Sequence, residues 1–160
     1  MLKQDSSWDL YVEGMEIGWK FSFSESDLKT FTVLSTDDSP IHTDHKFCQD
    51  RGFKSPLLHG ALLTTQLSRL IGKELPDNKA MTVGFSIEFF NPSYVDEDLE
   101  FTAKLLYKSE ATRIIELKFW ISRQEVIIGK GKISAKWQSG KVTSVAIKPL
   151  AKSERSMTAP

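Results

Sequence analysis

The chain has 160 residues, enough for one domain whose hydrophobic core needs no metal ion or disulfide to hold it together. Its 21 basic and 21 acidic side chains cancel, so the overall charge gives no reason to expect nucleic acid or an anionic membrane as a partner. The N-terminus lacks a signal-peptide core, and no segment approaches the roughly 18 apolar residues of a membrane span. Cys48 is the one cysteine, so no internal disulfide can form and we expect a cytoplasmic protein.

The first elements predicted along the chain are a strand and a helix. Residues 19–23 (WKFSF) alternate in polarity as a half-buried strand does. Ser24 stands three residues before Asp27, the spacing of a capping box, which predicts a helix of about ten residues that ends near Ser35. The following segment, 36–56, is rich in Asp, Ser, Pro and Gly, and we expect a long connection with one helical turn. Long connections of this kind are often functional.

The second half of the chain is organised around one apolar helix and four strands. Residues 60–71 (GALLTTQLSRLI) carry apolar side chains at helical spacing over a wide arc, which predicts a helix buried on most sides that stops at Gly72. Period-two alternation then predicts four strands, at residues 81–90, 98–107, 112–122 and 125–137. We expect them to form an antiparallel meander that curls around the helix, an α+β fold.

The domain is predicted to span residues 1–148. The remaining residues, 149–160, are polar and charged, so we expect a disordered tail. Because a curled sheet has open edge strands, pairing of two such edges in a homodimer is a common solution.

Two stretches contain side chains suited to catalysis. In residues 35–44 (STDDSPIHTD), a turn fixed at Pro40 could bring Asp37 and His42 together. A carboxylate beside an imidazole can hold a water molecule, remove its proton and return a proton elsewhere. On spacing alone, ordinary turn hydrogen bonds from the aspartate and a solvated histidine remain the commoner interpretation.

The second stretch, residues 55–63 (SPLLHGALL), places His59 and Gly60 at the start of the apolar helix. The Gly60 N–H would be unpaired there, and it could hold a developing oxyanion because the helix dipole favours negative charge at that end. A glycine chosen for close packing at a helix start is the competing interpretation.

Taken together, three runs of sequence resemble the MaoC-like dehydratases and (R)-specific enoyl-CoA hydratases of the hot dog fold. They are FTVLSTDDSPIHTD, GFKSPLLHGALL and FFNPSYVDEDL, within a resemblance that covers residues 15–137. The family's Asp-x-Asn-Pro-x-His motif falls on Asp37, Pro40 and His42, with Ser39 at the asparagine position.

The resemblance also assigns residues on the central helix. The family's His-Gly pair falls on His59 and Gly60, and Thr65 occupies the place of a small hydroxyl residue that follows it. The resemblance implies that these three residues, together with Ser39, bind the substrate. It implies syn addition of water to a trans-2-enoyl thioester of coenzyme A or acyl carrier protein, with Asp37 and His42 holding the water. Gly60 N–H would bind the thioester oxygen. It implies no metal and no redox cofactor. From the open edges of the predicted sheet we expect a homodimer.

Two alternatives stay open within the hot dog fold. Ser39 leaves room for a non-catalytic domain that only binds an acyl thioester. A hot dog thioesterase commonly carries its acid on the central helix, which here has none before Glu74. The basic residues of the connection, Lys46, Arg51 and Lys54, could meet coenzyme A phosphates or form an ordinary solvated face.

Overall fold

A computed structural model describes residues 6–138 of the chain. The helices are α1 (Glu25–Ser35), α2 (Pro40–Thr43), α3 (His45–Gln49), α4 (Gly60–Leu63) and α5 (Thr65–Arg69), with a π-helical turn at Leu70–Glu74 and 3-10 turns at Ser6–Leu10 and Pro76–Asn78. The strands are β1 (Glu16–Phe21), β2 (Ala80–Phe89), β3 (Leu99–Lys108), β4 (Ile114–Arg123) and β5 (Val126–Trp137). The predicted tail, 149–160, lies outside the described residues, as does the end of the predicted domain.

The capping box predicted before α1 is confirmed. Asp27 N–H donates to the Ser24 hydroxyl oxygen at 3.2 Å, and Ser24 N–H donates to the Asp27 carboxylate at 2.8 Å. The helix ends at Ser35, and Thr36 adopts a left-handed conformation with φ of 57°. This reversal points the chain away from α1 and leads directly into Asp37.

The long connection contains two short helices where one was predicted. The expected turn is α3, whereas α2 begins at Pro40, a residue whose fixed φ and missing N–H suit the first position of a helix. Cys48 of α3 is fully buried, and its thiol lies 3.3 Å from the carbonyl oxygen of Ile41 in α2. The two short helices of the connection therefore pack against each other, and this packing fixes the position of α2, which carries His42.

The central helix runs from Gly60 to Glu74 through α4, α5 and the π-helical turn. The prediction that it stops at Gly72 was wrong, because the wider turn carries the chain on and Leu75 N–H donates to the Leu70 carbonyl at 3.0 Å. The predicted burial holds for the leucine face of the helix, whereas Ala61, Thr65 and Ser68 are exposed along the other side. The buried apolar side chains of the helix are Leu62, Leu63, Leu67, Leu70 and Ile71.

All five strands form one antiparallel sheet with the order β1-β3-β4-β5-β2. The predicted meander holds for β3, β4 and β5, but β2 pairs with β5 and not with β3, so that part of the prediction was wrong. Nine residues separate β2 from β3, and they include Pro92, which cannot donate to a strand ladder, so no tight hairpin joins the two strands. As a result β2 and β1 are the two edges.

The core lies between the sheet and the central helix, as the α+β prediction requires. Alternate residues of β3, β4 and β5 point inward and are fully buried, among them Phe101, Phe119 and Ile133. They belong to one cluster with the buried leucines of the central helix. Within the described residues, each helix is too short or too polar to cross a bilayer.

Candidate active site

Asp37 lies just beyond α1 and is held by the residue two positions later. The Ser39 hydroxyl donates to Oδ1 of Asp37, and Ser39 N–H donates to the same oxygen at 3.3 Å. These hydrogen bonds favour the ionised carboxylate and hold the pKa of Asp37 below its usual range, helped by the nearby imidazoles of His42 and His59. With Oδ1 occupied, Oδ2 faces the two histidines.

His42 stands on α2 with both ring nitrogens in defined surroundings. Nδ1 lies 2.8 Å from the carbonyl oxygen of Leu57, and because a carbonyl only accepts, Nδ1 carries the proton of the neutral ring. Leu57 N–H in turn donates to the Ile41 carbonyl at 3.0 Å, which fixes the loop against α2. The lone pair on Nε2 is thus free, 4.0 Å from Oδ2 of Asp37, a gap that one water molecule can bridge.

Gly60 opens the central helix beside an apolar cleft of about 360 Å³. Its N–H is among the first amides of the helix, which have no intrahelical acceptor. The Phe89 ring lies against it so closely that an added Cβ at position 60 would be 2.8 Å from Cε2 of Phe89. Besides Gly60 and His42, the residues around this cleft include Phe53, Leu57, Leu58, Leu63, Phe89 and Phe90.

The six predicted site residues fall into three groups. His42 and Gly60 line the cleft, whereas Asp37, Ser39 and His59 cluster around His42 without lining it. Thr65 lies one turn further along the helix and donates its hydroxyl back to the Leu62 carbonyl at 2.7 Å. It does not line the cleft, so its contact with substrate stays a prediction.

Asp37, His42 and His59 also offer oxygen and nitrogen atoms of the kinds that bind transition metals, all within 4.8 Å of one another. However, Nε2 of His59 is occupied, since it donates to the Asp37 main-chain carbonyl at 2.9 Å. A metal ion could recruit this nitrogen only by breaking that hydrogen bond. Through Nε2, His59 is therefore tied to the Asp37 main chain.

The basic residues of the connection have protein partners. Lys46 pairs with Asp50 at 2.8 Å, and the Arg51 guanidinium lies over the Phe47 ring. Lys54 pairs with Glu97 at 2.7 Å. A contact with coenzyme A phosphates stays a prediction for each of the three cations.

Glu97 is a structural residue that the sequence did not reveal. It accepts hydrogen bonds from Lys54, from Arg123 at 2.8 Å and from Tyr94 N–H at 3.0 Å. Burial alone would raise the pKa of Glu97, but these hydrogen bonds outweigh it and hold the pKa below the usual range. Leu58 N–H also donates to the Ser93 carbonyl at 2.8 Å, so this region supports the wall of the cleft.

Two further contributors to the cleft were missed for different reasons. Phe89 lies over Gly60 because β2 pairs with β5, and alternation within one strand does not show which strand lies beside it. Leu57 acts through its main-chain carbonyl, for which a side-chain pattern carries no signal. Asn91 and Pro92, which follow β2, also border the cleft.

Residues 14–120 match the family model described as a MaoC like domain. The chain belongs to the MaoC-like domain family. An (R)-specific enoyl-CoA hydratase of Aeromonas caviae is 31% identical to this MaoC-like chain over 92 residues, which are 55% of this chain and 69% of the relative. A mitochondrial 3-hydroxyacyl-[acyl-carrier-protein] dehydratase of Arabidopsis thaliana is 31% identical over 77 residues, 48% of this chain and 45% of the relative.

Solved structures place the MaoC-like chain in the hot dog fold, as predicted. The (R)-hydratase of Aeromonas caviae involved in PHA biosynthesis superposes with a TM-score of 0.75 at 25% identity, over 80% of this chain and 98% of that one. An R-hydratase of Pseudomonas aeruginosa in the unliganded form gives a TM-score of 0.75 at 20% identity, over 89% and 96% of the two chains.

Proposed function

We propose that this MaoC-like domain adds water to a trans-2-enoyl thioester to give a (3R)-3-hydroxyacyl thioester, and catalyses the reverse dehydration. The observation that carries the proposal is the pair formed by His42 Nε2 and Asp37 Oδ2, 4.0 Å apart and close to Gly60 on an apolar cleft. The names of the hydratase and dehydratase relatives support it.

The hydrogen bonds that Asp37 and His42 make indicate a different role for each residue in the reaction. Because Ser39 keeps Asp37 ionised and acceptor-only, the carboxylate is the weaker base and serves to hold the water and to stabilise the imidazolium that forms. His42 has its Nδ1 proton anchored on Leu57 and a free lone pair on Nε2, so it takes the proton from water.

In the addition, the water oxygen forms a bond to C3 as His42 Nε2 takes one of its protons. The electron pair of the C2–C3 double bond moves towards the thioester carbonyl, and Gly60 N–H stabilises the charge on its oxygen. Removal of one such donor costs about 3 kcal/mol in other enzymes. The imidazolium then returns a proton to C2 on the same face, so atoms and charge balance, and the reaction needs no redox cofactor.

Loss of the enoyl-thioester absorbance of crotonyl-CoA tests the proposal. The wild type is expected to consume the absorbance, while Asp37→Asn, which keeps the shape but removes the charge, is expected to lower kcat by at least about a hundredfold. A folded wild type that leaves both crotonyl-CoA and longer trans-2-enoyl thioesters of either carrier unchanged would reject catalysis and favour a binding-only domain.

We infer further that the assembly is a homodimer formed through β2. This edge strand has exposed apolar side chains at Met81, Val83, Phe85 and Phe89. In a monomer, the backbone N–H and C=O groups along its outer edge would also lack a partner strand. The carrier of the acyl group, coenzyme A or acyl carrier protein, and the cytoplasmic location stay proposals of the same kind.

A further inference from the structure

His59 is the most deeply buried of the three titratable groups at the site. Its side chain is 3% exposed, against 15% for His42 and 50% for Asp37. The ring lies between the Phe31 ring, 5.1 Å away between centroids, and the His42 ring, 3.8 Å away and nearly parallel to it. It does not line the apolar cleft, so a thioester bound there would meet His42 and not His59.

The hydrogen bonds of His59 define its tautomer. Nε2 lies 2.9 Å from the main-chain carbonyl oxygen of Asp37, which can only accept, so Nε2 carries a proton. Nδ1 is buried and meets no hydrogen-bond partner among the described residues. A proton on Nδ1 would be a buried donor without an acceptor, which is costly, so this nitrogen holds the lone pair of a neutral ring.

We propose that His59 is a positioning residue for the hydration: its neutral imidazole holds the Asp37 backbone through Nε2–H and supports the His42 ring by stacking, without touching substrate. This inference rests on the proposed function and assigns His59 a role other than the substrate contact expected from the family motif.

The hydrogen bond to Asp37 and the stacking on His42 both help to set the distance between His42 Nε2 and Asp37 Oδ2, on which the proposed reaction depends. Asp37 is half exposed and follows the left-handed Thr36, so its backbone needs an external restraint, and Nε2–H of His59 supplies one. Ser39 fixes one carboxylate oxygen, and His59 fixes the main chain that carries the carboxylate. Stacking sets the plane of the His42 ring, and a neutral neighbour 3.8 Å away adds no charge repulsion when His42 accepts a proton.

Two substitutions separate the effect of the His59 Nε2–H donor from the effect of its aromatic ring. His59→Gln places an amide N–H near the position of Nε2 but removes the ring, whereas His59→Phe keeps a ring against His42 and removes the donor. Since a misplacement of about 1 Å can cost about a hundredfold in rate, we expect His59→Phe to lower kcat by about that factor with KM within about twofold, and His59→Gln to recover a measurable part. A raised KM with unchanged kcat, or an unchanged kcat in both folded variants, would overturn the inference.

The tautomer can be read in the wild type without any turnover. Long-range proton–nitrogen correlations of the histidine rings, at about pH 8 where an ordinary imidazole is neutral, are expected to show His59 protonated on Nε2 and His42 protonated on Nδ1. Spectra of His59→Gln and His45→Gln identify the signals of His59 and His45, and the remaining signals belong to His42. A His59 proton on Nδ1 in an active enzyme would overturn the positioning role alone, whereas a wild type inactive on every enoyl thioester tested would reject the proposed function whatever the tautomer.

Discussion

Ser39 holds Asp37 by two hydrogen bonds to one carboxylate oxygen, one from its hydroxyl and one from its backbone N–H. The MaoC-like motif has asparagine at this position, so the substitution could have left the acid without support. Instead the shorter side chain reaches back two residues and binds the acid directly. The other oxygen of Asp37 is left facing His42, which is the geometry that the proposed hydration uses.

Removal of the Ser39 hydroxyl is expected to disturb Asp37 in a defined direction. In Ser39→Ala the pKa of Asp37 rises towards its usual range, because a hydrogen bond that favours the ionised form is lost. Because the carboxylate is also held less firmly, kcat near neutral pH is expected to fall on the order of tenfold. A carbon-13 NMR titration of the Asp37 carboxyl gives the pKa, and rates of crotonyl-CoA hydration give kcat.

Two further variants control for this result. Ser39→Asn restores the family residue and can still donate to Asp37, so we expect its kcat within about threefold of the wild type. Ser26→Ala, at an exposed serine in the first turn of α1, should change nothing. An Asp37 pKa that does not change in Ser39→Ala would show that the hydroxyl does not govern the ionisation of Asp37.

Gly60→Ala is expected to change the cleft more than the stability. The added Cβ would meet the Phe89 ring at 2.8 Å, and because the contact is with the far end of a rotatable side chain the ring can shift, so the free energy of unfolding should stay within about 1 kcal/mol. The displaced ring narrows the cleft and should raise KM several-fold. Steady-state kinetics with crotonyl-CoA and urea denaturation separate the two effects.

The contact with Phe89 can be isolated by a double substitution. Phe89→Leu removes the ring edge, so Gly60→Ala added to Phe89→Leu should cost less than Gly60→Ala alone, a non-additive pair. Gly72→Ala serves as the matched control, since an added Cβ there meets no atom within 4 Å among the described residues. Equal costs of Gly60→Ala in both backgrounds would rule out the clash as the cause.

Glu97→Gln tests the ionic anchor of the connection. The variant weakens hydrogen bonds from Lys54 and Arg123, so we expect a loss of about 1–2 kcal/mol in the free energy of unfolding at neutral pH. The pKa of Glu97 is lowered by folding, so its contribution is present above the unfolded-state pKa and disappears as the pH falls through the folded-state value. The gap between wild type and variant should therefore close below about pH 4.

A second carboxylate provides the comparison. Glu116 pairs with Lys132 at 3.1 Å on the outer face of the sheet, where both side chains are exposed. Glu116→Gln should cost less than about 0.5 kcal/mol. If both substitutions cost the same at neutral pH, the partial burial of Glu97 has no energetic consequence.

Asp77 joins the two ends of the described chain. It accepts hydrogen bonds from the Tyr11 hydroxyl at 3.1 Å, from Trp137 Nε1 at 2.8 Å and from Lys79 N–H at 3.0 Å, and its φ is 67°. Asp77→Ala loses these three hydrogen bonds in a backbone conformation that alanine disfavours, so we expect a loss of about 2–3 kcal/mol. Asp77→Asn keeps one oxygen and tolerates the conformation, so its loss should be about half as large. Thermal unfolding followed by tryptophan fluorescence measures the stability of both variants. If Asp77→Asn is as unstable as Asp77→Ala, the explanation given for Asp77 is wrong.

Charge on the β2 edge is expected to dissociate the proposed dimer. Met81→Lys combined with Val83→Lys places two cations on exposed positions of this strand, where a partner strand would bury them. Light scattering during gel filtration should report a monomer for this variant. Lys20→Glu, an exposed charge change on the β1 edge, should leave the dimer intact. A dimer that survives the double lysine variant would place the interface elsewhere.

Features that depend on residues close together in the chain could be predicted from the sequence, whereas features that depend on residues far apart could not. The capping box of Ser24 and Asp27 is a local signal and was predicted correctly, as were the strands of the meander. The helix α2 was missed although Pro40 is a known first-position signal, because four residues carry no periodicity. Pairing of β2 with β5 joins residues far apart in the chain, and alternation within a strand says nothing about its neighbour.

The same limit applies to the site. The spacing of the motifs, interpreted through the family resemblance, predicted that Asp37, His42 and Gly60 belong to one site. The stacking of His59 on His42 and the hydroxyl of Thr65 turned towards Leu62 depend on side-chain packing that spacing does not encode. The two cations that pair with Glu97 lie 43 and 26 residues away, so local sequence spacing does not indicate these ion pairs.

The placement of β2 beside β5 also bears on the order in which the protein is made. β2 carries the Phe89 ring that borders the cleft, yet its ladder pairs Ala80 with Trp137, near the end of the described chain. During synthesis the central helix and β2 leave the ribosome long before β5 can shelter them, so apolar surface stays open to chaperones until that strand emerges. A nascent chain stopped before β5 would hold Asp37, His42 and Gly60 but would lack the strand that keeps the Phe89 wall in place.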